Sequence, residues 1–171
     1  DAPLPYWAFA WGGGLAIARY LGERPEAVAA RRVFDLGSGS GVCAIVALGA
    51  GASAVVAADI DPFAAAAIEL NARANRRRLT VVNGDVLDEP PPSGIDVILA
   101  GDCWYEQGLA GRSMRWLRQA HEADIEVLVG DPGRRYLPTD ELEPLATYEV
   151  RTTTELEDLD LKRATVYRLR G

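Results

Sequence analysis

The stretch DLGSGSG at residues 35–41 places three glycines in seven positions, directly after the short apolar run RRVFDL at 31–36. An apolar stretch of helical length, Val42 to Gly51, follows it. Glycine permits positive φ and has no Cβ that would hold a ligand away from the backbone. This order predicts a strand, a tight turn and a helix, with a ligand bound close to the backbone of the turn.

The spacing of these glycines argues against the commonest phosphate ligands. A dinucleotide-binding turn has glycine at its first, third and sixth positions, but the sixth position counted from Gly37 is Val42. A phosphate-binding P-loop needs a lysine, and this turn has none. The turn therefore points to a ligand other than a phosphate.

Strands and helices alternate through the middle of the chain. Asp61 and Pro62 open the run DPFAAAAIELNARANRRR in the order expected of an N-cap and a first helical residue. Apolar strands buried on both faces and separated by helices indicate a parallel sheet with right-handed crossovers. Further strands are predicted at 54–58, 79–83, 95–100 and 125–130, and a further helix at 109–121.

The pattern changes after residue 145. A short helix is predicted near 139–145, followed by two β-rich runs at 147–153 and 164–169. No long helix separates these runs, which predicts an antiparallel pair at one sheet edge. The acidic segment ELEDLD at 155–160 is interpreted as a solvated loop and as a candidate contact for a basic, lysine-bearing segment.

Four aspartates end successive predicted strands. They are Asp35, Asp59, Asp85 and Asp102. One such residue is often only a helix cap, but the carboxyl ends of parallel strands share one edge, where ligands bind. A carboxylate after the second strand suits ribose hydroxyls, and carboxylates near the first turn suit a cation. Together they predict a nucleoside that carries positive charge.

Composition and charge limit the class of protein. The chain has 171 residues, a net charge of −7 and 49% hydrophobic residues. This predicts one domain over 1–171, and it disfavours long nucleic acid as a partner because phosphates need a basic face. No apolar run reaches membrane-spanning length and the first residues do not resemble a signal peptide, so we expect a cytoplasmic protein without a membrane partner. A single histidine and two distant cysteines predict no metal site.

At this point the chain resembles a known family, the seven-β-strand methyltransferases that use S-adenosylmethionine. DLGSGSG, AADID, NGD and AGDCWY match four motifs of that family in order, over residues 35–105. The resemblance implies an α/β, Rossmann-like, mostly parallel sheet of order 3-2-1-4-5-7-6, with strand seven antiparallel and helices on both faces. It also implies S-adenosylmethionine as the cofactor. The cofactor contacts implied are Trp11, Asp35, Gly37, Ser38, Gly39, Gly41, Asp59, Ile60, Asp85, Val86 and Asp102.

Two further stretches bear on the methyl acceptor. DCWY at 102–105 has the D-x-x-Y form of the protein-lysine branch of these enzymes, where a base-amino methyltransferase would carry two prolines. PYWAFAWGGG at 5–14 resembles the same branch and implies a helical cap over the cofactor within residues 1–30, ahead of a core at 31–171. With ADIDPFA, GDPGRRYLP and DLKRATVYRLR, the chain resembles most the group that methylates lysines of the electron transfer flavoprotein β-subunit.

This resemblance implies a protein-lysine N-methyltransferase, with the electron transfer flavoprotein β-subunit or a similar protein as the partner. The sequence does not determine the oligomeric state, and we expect a monomer. Because a free lysine has a pKa of about 10.4, the amine must lose a proton before it can attack. We expect Asp102 and Tyr105 to be catalytic, with Asp102 orienting the amine and Tyr105 shaping its channel. Trp104 and Tyr105 would bind the substrate and desolvate the amine.

Three alternatives stay open from the sequence. Trp104 and Tyr105 could be core aromatics near a helix start, and Trp7 and Phe9 could be packing residues rather than site residues. The acceptor could be a small amine, such as a nicotinamide-like base, rather than a protein. The chain could also be a binding module that keeps the cofactor pocket without catalysing transfer.

Overall fold

The computed structural model describes residues 5–155 and 158–171 and is built on a seven-stranded sheet. The strand order is 3-2-1-4-5-7-6, and the seventh strand runs antiparallel to both of its neighbours. The predicted order and the predicted antiparallel edge are both confirmed. The strands are β1 Arg32–Leu36, β2 Ala54–Asp59, β3 Thr80–Asn83, β4 Val97–Gly101, β5 Glu126–Asp131, β6 Leu142–Glu155 and β7 Asp158–Leu169.

Four α-helices accompany the sheet in the described part of the chain. The third begins as predicted, because Asp61 Oδ1 accepts a hydrogen bond from the Phe63 N–H at 2.8 Å and Pro62 is the first helical residue. Within residues 5–155 and 158–171, no helix combines the length and the apolar character that crossing a membrane requires. The helices are α1 Gly12–Glu23, α2 Val42–Gly49, α3 Pro62–Ala74 and α4 Gln107–Glu122.

The central strands are buried on both faces, and each face has its own core. Val33 and Leu99 pack into a core shared with α1 and α2. Phe34 and Ile98, which are the immediate neighbours of Val33 and Leu99 in their strands, pack into a core shared with α4. Successive strand side chains point to opposite faces, so an apolar run of this kind needs helices on both sides. This confirms the predicted layers.

The register brings the carboxyl ends of the central strands to one edge. Leu36 in β1 pairs with Ala58 in β2, and Gly101 in β4 pairs with Gly130 in β5. The turn after β1 is tied to this edge, since the Ser38 N–H donates to the Ala58 carbonyl at 2.9 Å. The residues that follow these strands are therefore close in space.

The chain departs from prediction after β5. Only Thr139–Glu141 forms a helical turn, of 3-10 type, and the predicted helix is wrong beyond it because β6 begins at Leu142. Leu142 is buried and pairs with Leu169, so packing against β7 outweighs the local helical pattern. Both final strands are longer than predicted.

The acidic segment at 155–160 is only partly within the described residues. Residues 156 and 157 lie outside them. Because β6 extends to Glu155 and β7 begins at Asp158, the predicted loop is wrong at residue 155 and at 158–160. Thr165 pairs with Asp131, the last residue of β5. The portion of β7 before Thr165 therefore runs past the carboxyl edge of the sheet.

Candidate active site

A cavity of about 670 Å³ opens at the carboxyl edge of β1, β2 and β4. Its walls come from the turn after β1, the residues after β2, β3 and β4, and the segment before α1. A volume of this size suits a nucleoside-sized ligand. Eleven predicted site residues line it: Trp11, Asp35, Gly37, Ser38, Gly39, Asp59, Ile60, Asp85, Val86, Asp102 and Tyr105. Two predicted site residues, Gly41 and Trp104, do not line the cavity as it stands.

The glycine turn has the left-handed backbone that its composition predicts. Gly37, Gly39 and Gly41 have φ of 63°, 57° and 85°, a region that side chains with a Cβ rarely adopt. Gly41 is the N-cap of α2, and a Cβ there would press on Ile68 at 3.3 Å. Gly41 therefore belongs to the join between α2 and α3, while the other two glycines form the cavity wall.

Asp35 is buried beneath this turn and organises it. Its Oδ2 atom accepts hydrogen bonds from Ser38 Oγ at 2.6 Å and from the Ala44 N–H at 3.2 Å, in the first turn of α2. Burial raises the pKa of Asp35 to about 7, against the lowering effect of the Ser38 and Ala44 hydrogen bonds. A cation in the cavity would favour its ionised form.

Asp59 stands where a ribose is expected. Its Oδ2 accepts from the Gly39 N–H at 2.8 Å, and its Oδ1 accepts from the Asp61 N–H at 3.0 Å. Each carboxylate oxygen can accept a second hydrogen bond, so both remain able to bind hydroxyl groups. Ile60, the next residue, is 66% exposed and offers an apolar surface to the cavity.

Asp85 is held by a cation that the sequence analysis did not identify. Its Oδ2 accepts from Arg112 Nη2 at 2.9 Å, and its Oδ1 accepts from the Leu87 N–H at 3.1 Å. The same Arg112 nitrogen also donates to Asp88 Oδ1 at 2.9 Å. Arg112 comes from α4 and lines the cavity, so it fixes the carboxylate after β3 beside Val86.

The segment before α1 forms a strap along the cavity, which we call the aromatic strap and define as residues 5–11. Trp11 Nε1 donates to the Tyr6 carbonyl at 2.8 Å, which closes the strap on itself. Tyr6 stacks on Tyr105 with ring centroids 5.9 Å apart, and Trp7 stacks on Phe63 of α3 at 6.4 Å. These contacts join the strap to both sides of the cavity mouth.

The predicted cap over residues 1–30 is therefore divided. Residues 1–4 lie outside the described residues, and the aromatic strap lines the cavity. The helix α1 instead packs on the sheet, where Ile17 and Leu21 are fully buried in the core shared with α2. Trp7 and Phe9, interpreted from sequence as packing residues or site residues, both line the cavity.

Asp102 follows β4 with a left-handed backbone, at φ of 61°. Its Oδ1 accepts from the Gly13 N–H at 2.9 Å and its Oδ2 from the Gly14 N–H at 2.7 Å. Arg134 Nη1 donates to Oδ1 at 2.7 Å. Burial raises the pKa of Asp102, and the Arg134 guanidinium and the two amides act in the opposite direction. The carboxylate thus lines the cavity and caps α1 at the same time.

The two aromatic residues of DCWY take different positions. Tyr105 is 56% exposed and lines the cavity mouth, and its role in shaping a channel stays a prediction. Partial burial raises the pKa of its hydroxyl. Trp104 is fully buried in the core shared with α4, so it cannot contact a substrate in this arrangement. The predicted contact of Trp104 with the substrate is therefore replaced by the alternative interpretation, in which Trp104 is an aromatic residue of the core.

Tyr6, Arg112 and Arg134 are among the cavity-lining residues that the sequence analysis did not propose for the site. A signal for Arg134 exists, because Asp131 is a fifth aspartate at the end of a strand, and Arg134 follows it by three residues in GDPGRR. The rule that selected the first four aspartates selects Asp131 as well. No comparable signal marks Arg112, whose contact with Asp85 depends on how α4 packs.

The residues of the cavity fit S-adenosylmethionine. Asp59 and Asp85 keep acceptor capacity for the hydroxyl and amino groups of a nucleoside, and Ile60 and Val86 offer apolar surface for a base. The glycine turn brings backbone close to the ligand at the Asp35 end, where negative charge suits a cationic chain. The cavity mouth next to Tyr105 leaves room for a second reactant.

Comparison with known proteins adds relatives of similar sequence. A family model described as ribosomal protein L11 methyltransferase (PrmA) matches residues 21–101. Electron transfer flavoprotein beta subunit lysine methyltransferases are similar over nearly the whole chain. That of Danio rerio is 39% identical over 97% of this chain and 66% of its own length. That of Xenopus laevis is 38% identical over 95% of this chain and 68% of its own length. The chain thus spans about two thirds of the length of these relatives.

Solved structures share the fold at low sequence identity. A Pyrococcus horikoshii protein, proposed as an RNA methyltransferase, superposes with a TM-score of 0.70 at 17% identity over 98% of this chain and 88% of its own. Ribosomal protein L11 methylase from Lactobacillus delbrueckii gives a TM-score of 0.61 at 19% identity over 91% and 78%. At such identity these likenesses concern the fold alone.

Proposed function

Because the chain belongs to the family of electron transfer flavoprotein β-subunit lysine methyltransferases, we propose that it transfers methyl groups from S-adenosylmethionine to lysine side chains of a protein. The observation that carries this proposal is the extent of the likeness, 39% identity over 97% of the chain, which is far more than the nucleoside-binding half. The electron transfer flavoprotein β-subunit, or a protein with a similar surface, is the acceptor that this family suggests.

The cavity supports the cofactor part of the proposal. Asp59 would bind the ribose hydroxyls, Ile60 and Val86 would pack on adenine, and Asp85 would bind the adenine edge. The glycine turn over Asp35 and the start of α1 would hold the methionine portion. When bound, S-adenosylmethionine supplies a methyl group on a positively charged sulfur, for displacement by an amine.

The cavity mouth supports the acceptor part. Tyr105 and Tyr6 are about half exposed and stack on each other at the cavity mouth, so a side chain that enters there passes along their aromatic surfaces. Apolar surroundings disfavour an ammonium group and favour the neutral amine that displacement requires. Asp102 Oδ2 has one donor, Gly14, so it keeps acceptor capacity to orient such an amine. The reacting groups are brought together by position, and the proton can leave to water.

The experiment that tests the proposal is methyl transfer to recombinant electron transfer flavoprotein. The protein is incubated with labelled S-adenosylmethionine, and the β-subunit is analysed by mass spectrometry for methyl groups on lysine. Tyr105→Ala is the active-site control, and Tyr136→Ala is its match outside the cavity, since Tyr136 is partly exposed and does not line it.

The outcomes separate the open alternatives. Methyl groups on lysines of the flavoprotein that decrease with Tyr105→Ala, at flavoprotein concentrations below the wild-type KM, and not with Tyr136→Ala support the proposal. Label found only in small molecules, in the presence of a cell extract, would favour a small-amine methyltransferase instead. Binding of S-adenosylmethionine in a calorimeter, without transfer to any acceptor, would indicate a binding module.

A further inference from the structure

One guanidinium nitrogen joins the carboxylates that follow two neighbouring strands. Arg134 Nη1 lies 2.7 Å from Asp102 Oδ1 and 2.7 Å from Asp131 Oδ1. Asp131 is fully buried at the end of β5, and the Arg134 side chain is 23% exposed on the cavity wall. A charged pair this far from solvent is screened little, so the contact constrains both carboxylates.

Asp131 fixes the position of Arg134. Its Oδ2 accepts from the Gly133 N–H at 2.8 Å and from the Arg134 N–H at 2.6 Å. The carboxylate thus binds both the backbone and the side chain of the same arginine. The loop after β5 therefore holds the backbone of Arg134 in place while its guanidinium lines the cavity.

Asp102 passes this constraint to α1. The N-cap residue of α1 is Trp11, which makes no capping hydrogen bond with its side chain. Asp102 supplies the cap instead, through the Gly13 and Gly14 N–H groups, from almost ninety positions along the chain. Its negative charge also lies at the positive end of the helix dipole. The aromatic strap leads directly into this capped turn.

The same contacts determine which oxygen of Asp102 is open. Oδ1 takes two donors, Gly13 and Arg134, and Oδ2 takes one, Gly14. A carboxylate oxygen accepts about two hydrogen bonds, so the remaining capacity is on Oδ2. Among the described residues, Arg134 is the one cation within ion-pair distance of Asp102.

We propose that Arg134 is a positioning residue for methyl transfer, which holds Asp102 with Oδ2 open to the acceptor amine and α1 capped against the ends of β4 and β5. This inference rests on the proposed function, because it takes the acceptor to be an amine that enters beside Tyr105. Arg134 does not itself contact the reacting atoms; it acts through Asp102.

The test compares three variants of the whole chain. Arg134→Met removes the charge and keeps the volume of the stem. Arg134→Lys keeps a cation, and since one nitrogen of Arg134 makes both contacts, an ammonium group can replace them. Arg135→Met is the matched control, because Arg135 lies next in the chain, stacks on Tyr136 and does not line the cavity.

The expected result is a loss of turnover with Arg134→Met. A small displacement of a positioned group lowers kcat by about 100-fold, while KM for the flavoprotein stays near that of the wild type. Arg134→Lys restores most of kcat, and Arg135→Met retains wild-type kcat. The acidic limb of kcat against pH moves to higher pH in Arg134→Met, because the lost guanidinium no longer lowers the pKa of Asp102.

Other results would overturn the inference. Wild-type kcat in Arg134→Met shows that Asp102 needs no support from it. A folded Arg134→Lys with the same loss of kcat as Arg134→Met contradicts the inference, because its ammonium group keeps the charge beside Asp102. An acidic limb that stays in place in a folded Arg134→Met shows that Arg134 does not act through Asp102. Melting temperatures of all variants accompany the assay. If Arg134→Met does not fold, kcat of Arg134→Lys decides: most of the wild-type kcat supports the inference, and loss of kcat in a folded Arg134→Lys contradicts it. If the wild-type protein transfers no methyl group, the proposed function itself is contradicted. This outcome differs from failure of the inference, in which the wild type is active and the Arg134 variants behave otherwise than expected.

Discussion

Gly13 in α1 and Gly130 in β5 lie with their backbones in direct contact, since a Cβ added to either residue would meet the carbonyl oxygen of the other. The Gly130 carbonyl also accepts from the Asp102 N–H at 2.9 Å. The start of α1 thus lies on the ends of β4 and β5 with no side chain between them. The position of the aromatic strap depends on this close approach.

Gly13→Ala is expected to destabilise the protein and to lower its affinity for S-adenosylmethionine. The added methyl group meets backbone atoms, so α1 must shift, and overpacking of this kind costs about 1–3 kcal/mol or more. Urea unfolding measures the loss, and calorimetry measures the accompanying loss of S-adenosylmethionine affinity.

Gly22→Ala in the same helix is the control for that substitution. Nothing lies within 4 Å of a Cβ at Gly22, which is exposed in the last turn of α1. Alanine there should stabilise by roughly 0.5–1 kcal/mol, because glycine loses more backbone entropy on folding. Equal effects of the two substitutions would show that the contact with Gly130 does not constrain α1.

Asp59→Ala is expected to weaken the binding of S-adenosylmethionine. Hydrogen bonds to a charged group contribute about 1.5–3 kcal/mol each, so loss of a carboxylate that binds ribose lowers affinity by roughly 100-fold. Isothermal titration calorimetry measures the dissociation constant. Asp96→Ala is the matched control, because Asp96 likewise accepts from a backbone N–H, that of Arg32, at the opposite end of β1. Unchanged affinity in Asp59→Ala would remove the ribose contact from the proposal.

Tyr105→Ala is expected to raise KM for the protein acceptor while the affinity for S-adenosylmethionine changes little. Removal of the ring leaves Tyr6 without its stacking partner and widens the entrance. Tyr105→Phe keeps the stack, so it separates shape from the hydroxyl group. If Tyr105→Phe loses as much activity as Tyr105→Ala, the hydroxyl takes part in orienting the amine. If neither variant is affected, the acceptor does not enter beside Tyr105.

The sequence predicts the fold well where local signals and burial agree. Asp61 and Pro62 mark the start of α3, and apolar runs ending in aspartate mark the strands that form the cavity edge. The prediction fails at Leu142, where the pairing of β6 with β7 decides the structure and no short pattern reports it. Pro144 is tolerated in β6 because β6 lies at the sheet edge.

The candidate site is harder to predict because its contacts span the chain. Asp102 has a left-handed backbone that the sequence does not signal. Shortly after it, the side chain of Trp104 is buried in the core, whereas that of Tyr105 is exposed at the cavity. Arg134 gains its role only when β4 and β5 bring Asp102 and Asp131 together. Strand-end position identifies the carboxylates, and packing identifies their partners.

Asp35 predicts a pH dependence of stability. Burial raises its pKa from 3.8 to about 7, so the folded protein binds a proton between those values that the unfolded chain releases. Stability therefore falls as pH rises from about 4 to about 7 and is level above that. The cost of ionising Asp35 in the folded state is roughly 4 kcal/mol.

Asp35→Asn is expected to remove this slope and to raise stability near neutral pH. Both donors to Asp35 converge on Oδ2, so the carbonyl oxygen of asparagine can accept from Ser38 and Ala44 in its place. Urea unfolding at a series of pH values measures the slope, with Asp140→Asn as the exposed control. Affinity for cationic S-adenosylmethionine should fall in Asp35→Asn, because the ligand favours the ionised carboxylate. A slope that persists in Asp35→Asn would assign the pH dependence to another group.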